Sequence, residues 1–169
     1  MTNPLADMDK PDVIFAIGTN MTEAHPVAAT RLKKALRKGA KLIVADPRRI
    51  KLTELADLHL PLRVGSDAAL LLGMAHVIQR EGLVNEAFVE NHTAQAEAFL
   101  KHVEQFPPEW AETITGVPAA DIEKAALWYA SAEKRAIYYT LGITEHISGV
   151  DNVMSLANLA LMTGHIGRE

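Results

Sequence analysis

Asp12-Val13-Ile14-Phe15-Ala16-Ile17-Gly18 and Lys41-Leu42-Ile43-Val44-Ala45-Asp46-Pro47, with Pro26 to Gly39 between them, decide the fold. Each outer stretch is a continuous apolar run rich in β-branched residues and closed by turn formers, which reads as a strand buried on both faces. Between them, Val27, Leu32, Ala35 and Leu36 recur at helical spacing among cations. Pro26 suits the first turn of that helix, and Gly39 its stop. Strand, helix, strand in this length is a βαβ unit, whose strands run parallel.

Further along, Leu58 to Leu62 reads as a short strand, placed at an edge by Pro61. Leu70, Met74, Val77 and Ile78 mark a helix over 67–80, with Ser66 as N-cap and Gly82 beyond its end. Residues 85–103 read as two short helices broken near His92-Thr93. Glu109 to Ile114 and Pro118 to Ser131 read as two more. Ala136 to Leu141 is a further buried strand, and Asp151 to Met162 a final apolar helix. The alternation predicts an α/β fold with a mostly parallel, Rossmann-like sheet and helices on both faces. Residues 1–10 are expected to be disordered or tag-like, with one domain over 11–169. The stop directly after an apolar helix suggests a piece of a longer, multidomain subunit.

Of the 169 residues, 49% are apolar and 22% charged, as in ordinary globular proteins. The chain has no cysteine, which excludes a disulfide scaffold, a thiolate metal site and a cysteine nucleophile within it. A net charge of −4 gives no reason to expect nucleic acid or an anionic membrane as partner. The first ten residues contain no apolar signal core.

In an open parallel sheet, ligands bind outside the carboxyl ends of the strands. Four polar or small segments fall there: Gly18-Thr19-Asn20 with Glu23, Asp46-Pro47-Arg48-Arg49, Arg63-Val64-Gly65-Ser66-Asp67, and Gly142-Ile143-Thr144-Glu145-His146. Gly18 would let a backbone approach a ligand. Asp46 sits where a carboxylate commonly accepts from a ribose diol, and Arg48 could meet phosphate oxygens with its planar fork. Gly65 and Ser66 offer N–H groups at a helix start. Together these describe a nucleotide-type site. No G-x-G-x-x-G follows the first strand, which speaks against a plain nicotinamide-binding domain. The cations Arg31, Lys33, Lys34, Arg37 and Lys38 read as a solvated helix face. His25 and His146 follow strands and are lesser candidates.

These segments, with Ile114-Thr115-Gly116-Val117, Ser155-Leu156-Ala157-Asn158-Leu159 and Met162-Thr163-Gly164-His165-Ile166-Gly167-Arg168, stand in the order seen in the molybdopterin oxidoreductases. The chain resembles, over residues 10–168, the catalytic α subunits of molybdenum- or tungsten-dependent formate dehydrogenases. Gly142 to His146 resembles the NAD-linked, cytoplasmic type. The resemblance implies a domain that holds one of two molybdopterin guanine dinucleotide (MGD) moieties of a bis-MGD centre. Gly18, Asn20 and Glu23 match its first cofactor loop and Asp46 and Arg48 its second. Gly65 and Asp67 match the third, and Gly142, Ile143 and Glu145 the pterin-proximal loop. Glu23 replaces an Asp of relatives, and Glu145 a Gln; an anionic Glu145 cannot donate from its side chain as Gln does.

The family's metal ligand, its neighbouring histidine and the iron–sulfur cysteines match nothing in this chain, and Arg168 is not assigned the role of the family's essential arginine. No catalytic or metal-ligating residue is therefore assigned here. The parent reaction implied is oxidation of formate to carbon dioxide, with electrons passing to iron–sulfur centres and towards NAD through partner subunits. The piece alone is expected to lack turnover. Another superfamily member such as a nitrate reductase, or a non-catalytic assembly module, is the alternative. Self-association is expected through the final helix, at Leu156, Leu159, Ala160 and Leu161.

Overall fold

The computed structural model describes residues 3–167; Arg168 lies outside the described residues. Four strands, β1 (Val13–Ile17), β2 (Lys41–Ala45), β3 (Leu58–Leu60) and β4 (Arg135–Tyr139), form one sheet in the order β3-β2-β1-β4. Every pairing is parallel: Val13 lies opposite both Lys41 and Arg135, and Ile43 opposite Leu58. All four carboxyl ends therefore share one edge. Between β1 and β4 the strand order reverses, the kind of position where α/β sheets bind ligands.

The helices are α1 (Met21–Ala24), α2 (Pro26–Arg37), α3 (Asp67–Arg80), α4 (Glu86–His92), α5 (Ala96–Val103), α6 (Pro108–Thr115), α7 (Ala119–Ser131), α8 (Leu141–Thr144) and α9 (Gly149–Met162). Strand side chains alternate between two cores, as the period of two requires. Phe15, Ile17, Ile43 and Leu60 join Leu70, Met74, Ile122, Tyr129 and Leu159, from α3, α7 and α9. Ile14, Ala16, Leu42 and Val44 face Ala29, Leu32 and Ala35 of α2. The first cluster is the thicker layer. Phe15 and Tyr129 meet there with ring centroids 6.4 Å apart. A Cβ on Gly73 of α3 would lie 2.8 Å from the Ala111 Cβ, so the missing side chain sets how near α6 approaches.

Several expectations need correction. Leu5–Asp9 forms a 3-10 turn with Met8 buried, where a disordered or tag-like segment was expected. Its anchor is α2: Asp9 takes Lys34 Nζ at 2.5 Å and Arg31 Nη1 at 3.4 Å, and its carbonyl takes Lys38 Nζ at 3.2 Å. The predicted solvated face of that helix is thus partly a clamp. β4 is half-exposed rather than buried, because it is an edge strand. Short helices α1 and α8 were not foreseen; four residues carry too little periodicity to show. Leu156 and Leu159 of α9 point into the core, so they cannot carry self-association. The exposed apolar residues nearby are Leu141, Ile147, Val150 and Met154. Among the described residues, no helix is long and apolar enough to cross a membrane.

Candidate functional site

Polar side chains are seldom buried without a reason, and here most of them gather at one edge. Thr19, Asp46, Ser66 and Asp67 are buried in the segments that follow β1, β2 and β3, and Asn152 is buried against the segment after β4. Thr115 and Thr163, the remaining buried polar side chains, bond back to carbonyls of their own helices.

The loop after β1 turns at Gly18, whose φ is +56°. Gly18 does not open room for a ligand, as the sequence suggested. It packs backbone to backbone against Gly142: its carbonyl accepts the Gly142 N–H at 3.1 Å and the Thr140 hydroxyl at 2.9 Å. A Cβ on Gly18 would lie 2.6 Å from the Gly142 carbonyl carbon, and one on Gly142 would lie 2.5 Å from the Gly18 oxygen. The two glycines join the first and last strand ends. Asn20 then donates to Glu23 Oε2 at 2.8 Å and accepts from the Thr22 hydroxyl at 3.1 Å. Glu23 and His25 are exposed.

After β2, Asp46 is almost wholly buried. Its Oδ1 accepts the Arg48 backbone N–H at 2.9 Å and Arg48 Nε at 3.1 Å, while Oδ2 takes Nη2 at 3.3 Å. Its carbonyl is 2.8 Å from His59 Nε2 on β3. The carboxylate expected to face a diol is therefore engaged by Arg48, and the exposed group of the pair is the guanidinium. Asp46 beside it, and Glu23 across the edge, hold the Arg48 pKa above its ordinary value.

After β3, Arg63 turns away from the edge. Its Nη1 donates to the Thr113 and Ile114 carbonyls at 2.9 and 3.0 Å, closing the end of α6. Gly65 has φ +82°, and a Cβ there would meet nothing within 4 Å. Ser66 occupies the N-cap position of α3, yet its hydroxyl bonds back to the Arg63 carbonyl at 2.6 Å. Ser66 therefore does not cap α3, which leaves the first-turn amides beyond Asp67 without a hydrogen bond from it. Asp67 begins the helix. Burial pushes its carboxyl pKa up and the Asp46 charge adds to this, while its own backbone N–H and His146 work in the opposite direction.

After β4, Ile143 is fully buried in the main core, so only its backbone can serve a ligand. Glu145 is exposed, and His146 Nε2 lies 2.9 Å from the Gly142 carbonyl. The parallel strands bring these segments to one edge, where Glu23 acts on Arg48 and both Asp46 and His146 act on Asp67. Asn20, Asp46 and the Gly65 loop thus belong to one neighbourhood. Asn152 was missed by sequence reasoning, and its signal is a lone amide on the core side of an apolar helix. An open cleft of about 340 Å³ lies elsewhere, at the opposite end of the sheet between Asp9, Asp12, Lys38 and Lys134. None of the polar-edge residues lines that cleft.

The family model for molybdopterin oxidoreductases matches residues 1–169. The chain belongs to this family. It is 43% identical over 168 residues to formate dehydrogenase H of Escherichia coli, covering 99% of this chain and 24% of that protein. Against the F420-dependent formate dehydrogenase 1 subunit alpha of Methanococcus maripaludis the identity is 42%, covering 99% of this chain and 25% of the relative. A nitrate reductase of Synechocystis is 35% identical, over 96% of this chain and 23% of its own length. Among solved structures, acetylene hydratase from Pelobacter acetylenicus superposes with a TM-score of 0.90 at 35% identity, covering 96% of this chain and 22% of that one. The chain spans about a quarter of the length of the curated relatives it matches. Membership in the family implies a molybdopterin cofactor.

Proposed function

We propose that this chain is the part of a formate dehydrogenase α subunit that holds one MGD moiety of a bis-MGD centre. The observation that carries the reading is the convergence of Asn20–Glu23, Asp46–Arg48 and Gly65–Asp67 on one strand edge, in a chain of the molybdopterin family. The donor set suits the group. Glu23 and Asp67 offer acceptors that fit the N–H edge of guanine and the hydroxyls of ribose, while Asp46 orients the Arg48 guanidinium. The exposed Arg48 guanidinium and the first-turn α3 amides beyond Asp67 supply donors to phosphate oxygens. The open space above Gly65 leaves the backbone approachable there.

Gly142 and Ile143 would present backbone groups near the pterin, with Glu145 at the rim. When bound, the cofactor supplies a molybdenum or tungsten centre for oxidation of formate to carbon dioxide. This chain's own residues bind and orient that cofactor. Electrons leave through iron–sulfur centres and NAD-linked subunits of a cytoplasmic assembly, with neither nucleic acid nor membrane as partner. Formate is favoured over nitrate as substrate because the formate dehydrogenases share more identity with the chain.

The full-length protein, denatured in acid, is expected to release a pterin and GMP. Asp46→Ala and Arg48→Ala should each lower both together, by about threefold to tenfold if one or two hydrogen bonds are lost. Unchanged release from both variants would refute the placement. The chain by itself should show no formate-dependent dye reduction.

A further inference from the structure

We propose that Thr19 and Asn152 are positioning residues of the cofactor site: they flank the α8 turn and complete their hydrogen bonds when the cofactor is seated against it. The inference rests on the reading above and adds two residues to it. Both side chains are at least 98% buried, Thr19 being 2% exposed and Asn152 1%. Asn152 Nδ2 donates to the Ile143 carbonyl at 3.2 Å, which fixes the orientation of the amide and leaves Oδ1 without a donor. Thr19 Oγ1 is likewise without a partner.

The two residues adjoin the same short turn. Thr19 follows Gly18, whose carbonyl receives the Gly142 N–H, and Asn152 donates to the carbonyl of Ile143, the next residue of that turn. The turn that carries Gly142 and Ile143 is thus held from β1 and from α9. It is four residues long: Ile143 anchors it in the core and Gly142 against Gly18, while Leu141 and Thr144 are exposed.

An unpaired buried hydroxyl or amide oxygen destabilises a fold, and its persistence is best explained by a partner that arrives later. Here the two spare groups are a hydroxyl, able to donate or accept, and a carbonyl oxygen that accepts. That pair matches a heterocycle edge that presents an N–H beside a ring nitrogen, or the backbone of the turn once it is seated on such a ring. Their neighbours Asp46 and Ser66 already have partners, so the unfilled valences are confined to the α8 side of the edge.

The test uses the full-length protein, made once in a host unable to form the pterin and once in a competent host. Without cofactor, Thr19→Val should melt no lower than the wild type, because it removes a polar atom that has no partner. In the competent host its pterin and GMP content should fall by about threefold to tenfold, the size of one or two hydrogen bonds. Asn152→Leu should lose cofactor at every pH. Asn152→Asp should retain it at acid pH, where the protonated carboxyl donates to Ile143, and lose it at alkaline pH.

Wild-type content in Thr19→Val or in Asn152→Leu would overturn the proposal. So would a lower melting point of cofactor-free Thr19→Val, which would mark a purely structural hydroxyl. A wild type that releases neither pterin nor GMP would instead remove the cofactor reading itself.

Discussion

Gly18 and Gly65 both lie in the left-handed region, but for different neighbours. At Gly18 the space a Cβ needs is taken by the Gly142 backbone, which cannot yield as a flexible side chain would; at Gly65 nothing is near. Backbone strain is common to both, so the difference isolates the clash. Gly18→Ala should cost about 1–3 kcal/mol more than Gly65→Ala, the usual penalty of overpacking, measured by urea unfolding. Gly65→Ala should instead act on ligand binding. Asp67 bears on pH. Its folded-state pKa is raised by burial, so the fold prefers the protonated carboxyl. The associated stability is present below the unfolded value near 4 and is lost as pH rises through the raised pKa. Unfolding of the cofactor-free protein should therefore become easier across that window, and Asp67→Asn should flatten the dependence. A slope equal in both proteins would contradict the assignment.

At the scale of elements, the polar loops sit where they do because helix ends are closed in unexpected ways. Arg63 satisfies two carbonyls at the end of α6, and Ser66 closes its own turn rather than capping α3. The first arrangement fastens the β3–α3 loop to α6; the second leaves the α3 amides beyond Asp67 uncapped by Ser66. Arg63→Ala should lower stability by about 1–2 kcal/mol, as expected for the loss of hydrogen bonds to a charged group. It should also loosen residues 63–67, which hydrogen exchange of the α6 and α3 amides would report. The strands and longer helices were legible in the sequence because their apolar period matches their burial. Short α1 and α8 were not, since one turn of helix leaves no period to read. The half-exposed β4 also escaped, because Ala136 to Leu141 is as apolar as a central strand and only the strand order makes it an edge.

At the scale of the molecule, two cores of unequal thickness enclose the sheet, and one flank remains apolar. Leu141, Ile147, Val150 and Met154 are exposed beside the β4 edge, a combination that invites association. The chain alone should scatter light increasingly with concentration, and Ile147→Ser with Met154→Lys should reduce this. The same pair of changes at Leu156 and Leu159 would unfold the chain instead, because those side chains fill the core.

The order of strand-end segments, the βαβ unit and the residue types for a nucleotide-like ligand were all determined by the sequence, because hydrophobic period and turn chemistry act locally. Which candidates are free to meet a ligand was decided only in three dimensions. Asp46 is occupied by Arg48, Gly18 by Gly142, and Ile143 is buried, while Thr19 and Asn152 emerge with unfilled valences. These outcomes depend on which segments a parallel sheet brings side by side. Residues as far apart as Gly18 and Gly142 become neighbours only because β1 pairs with β4, and nothing local in either segment encodes that pairing.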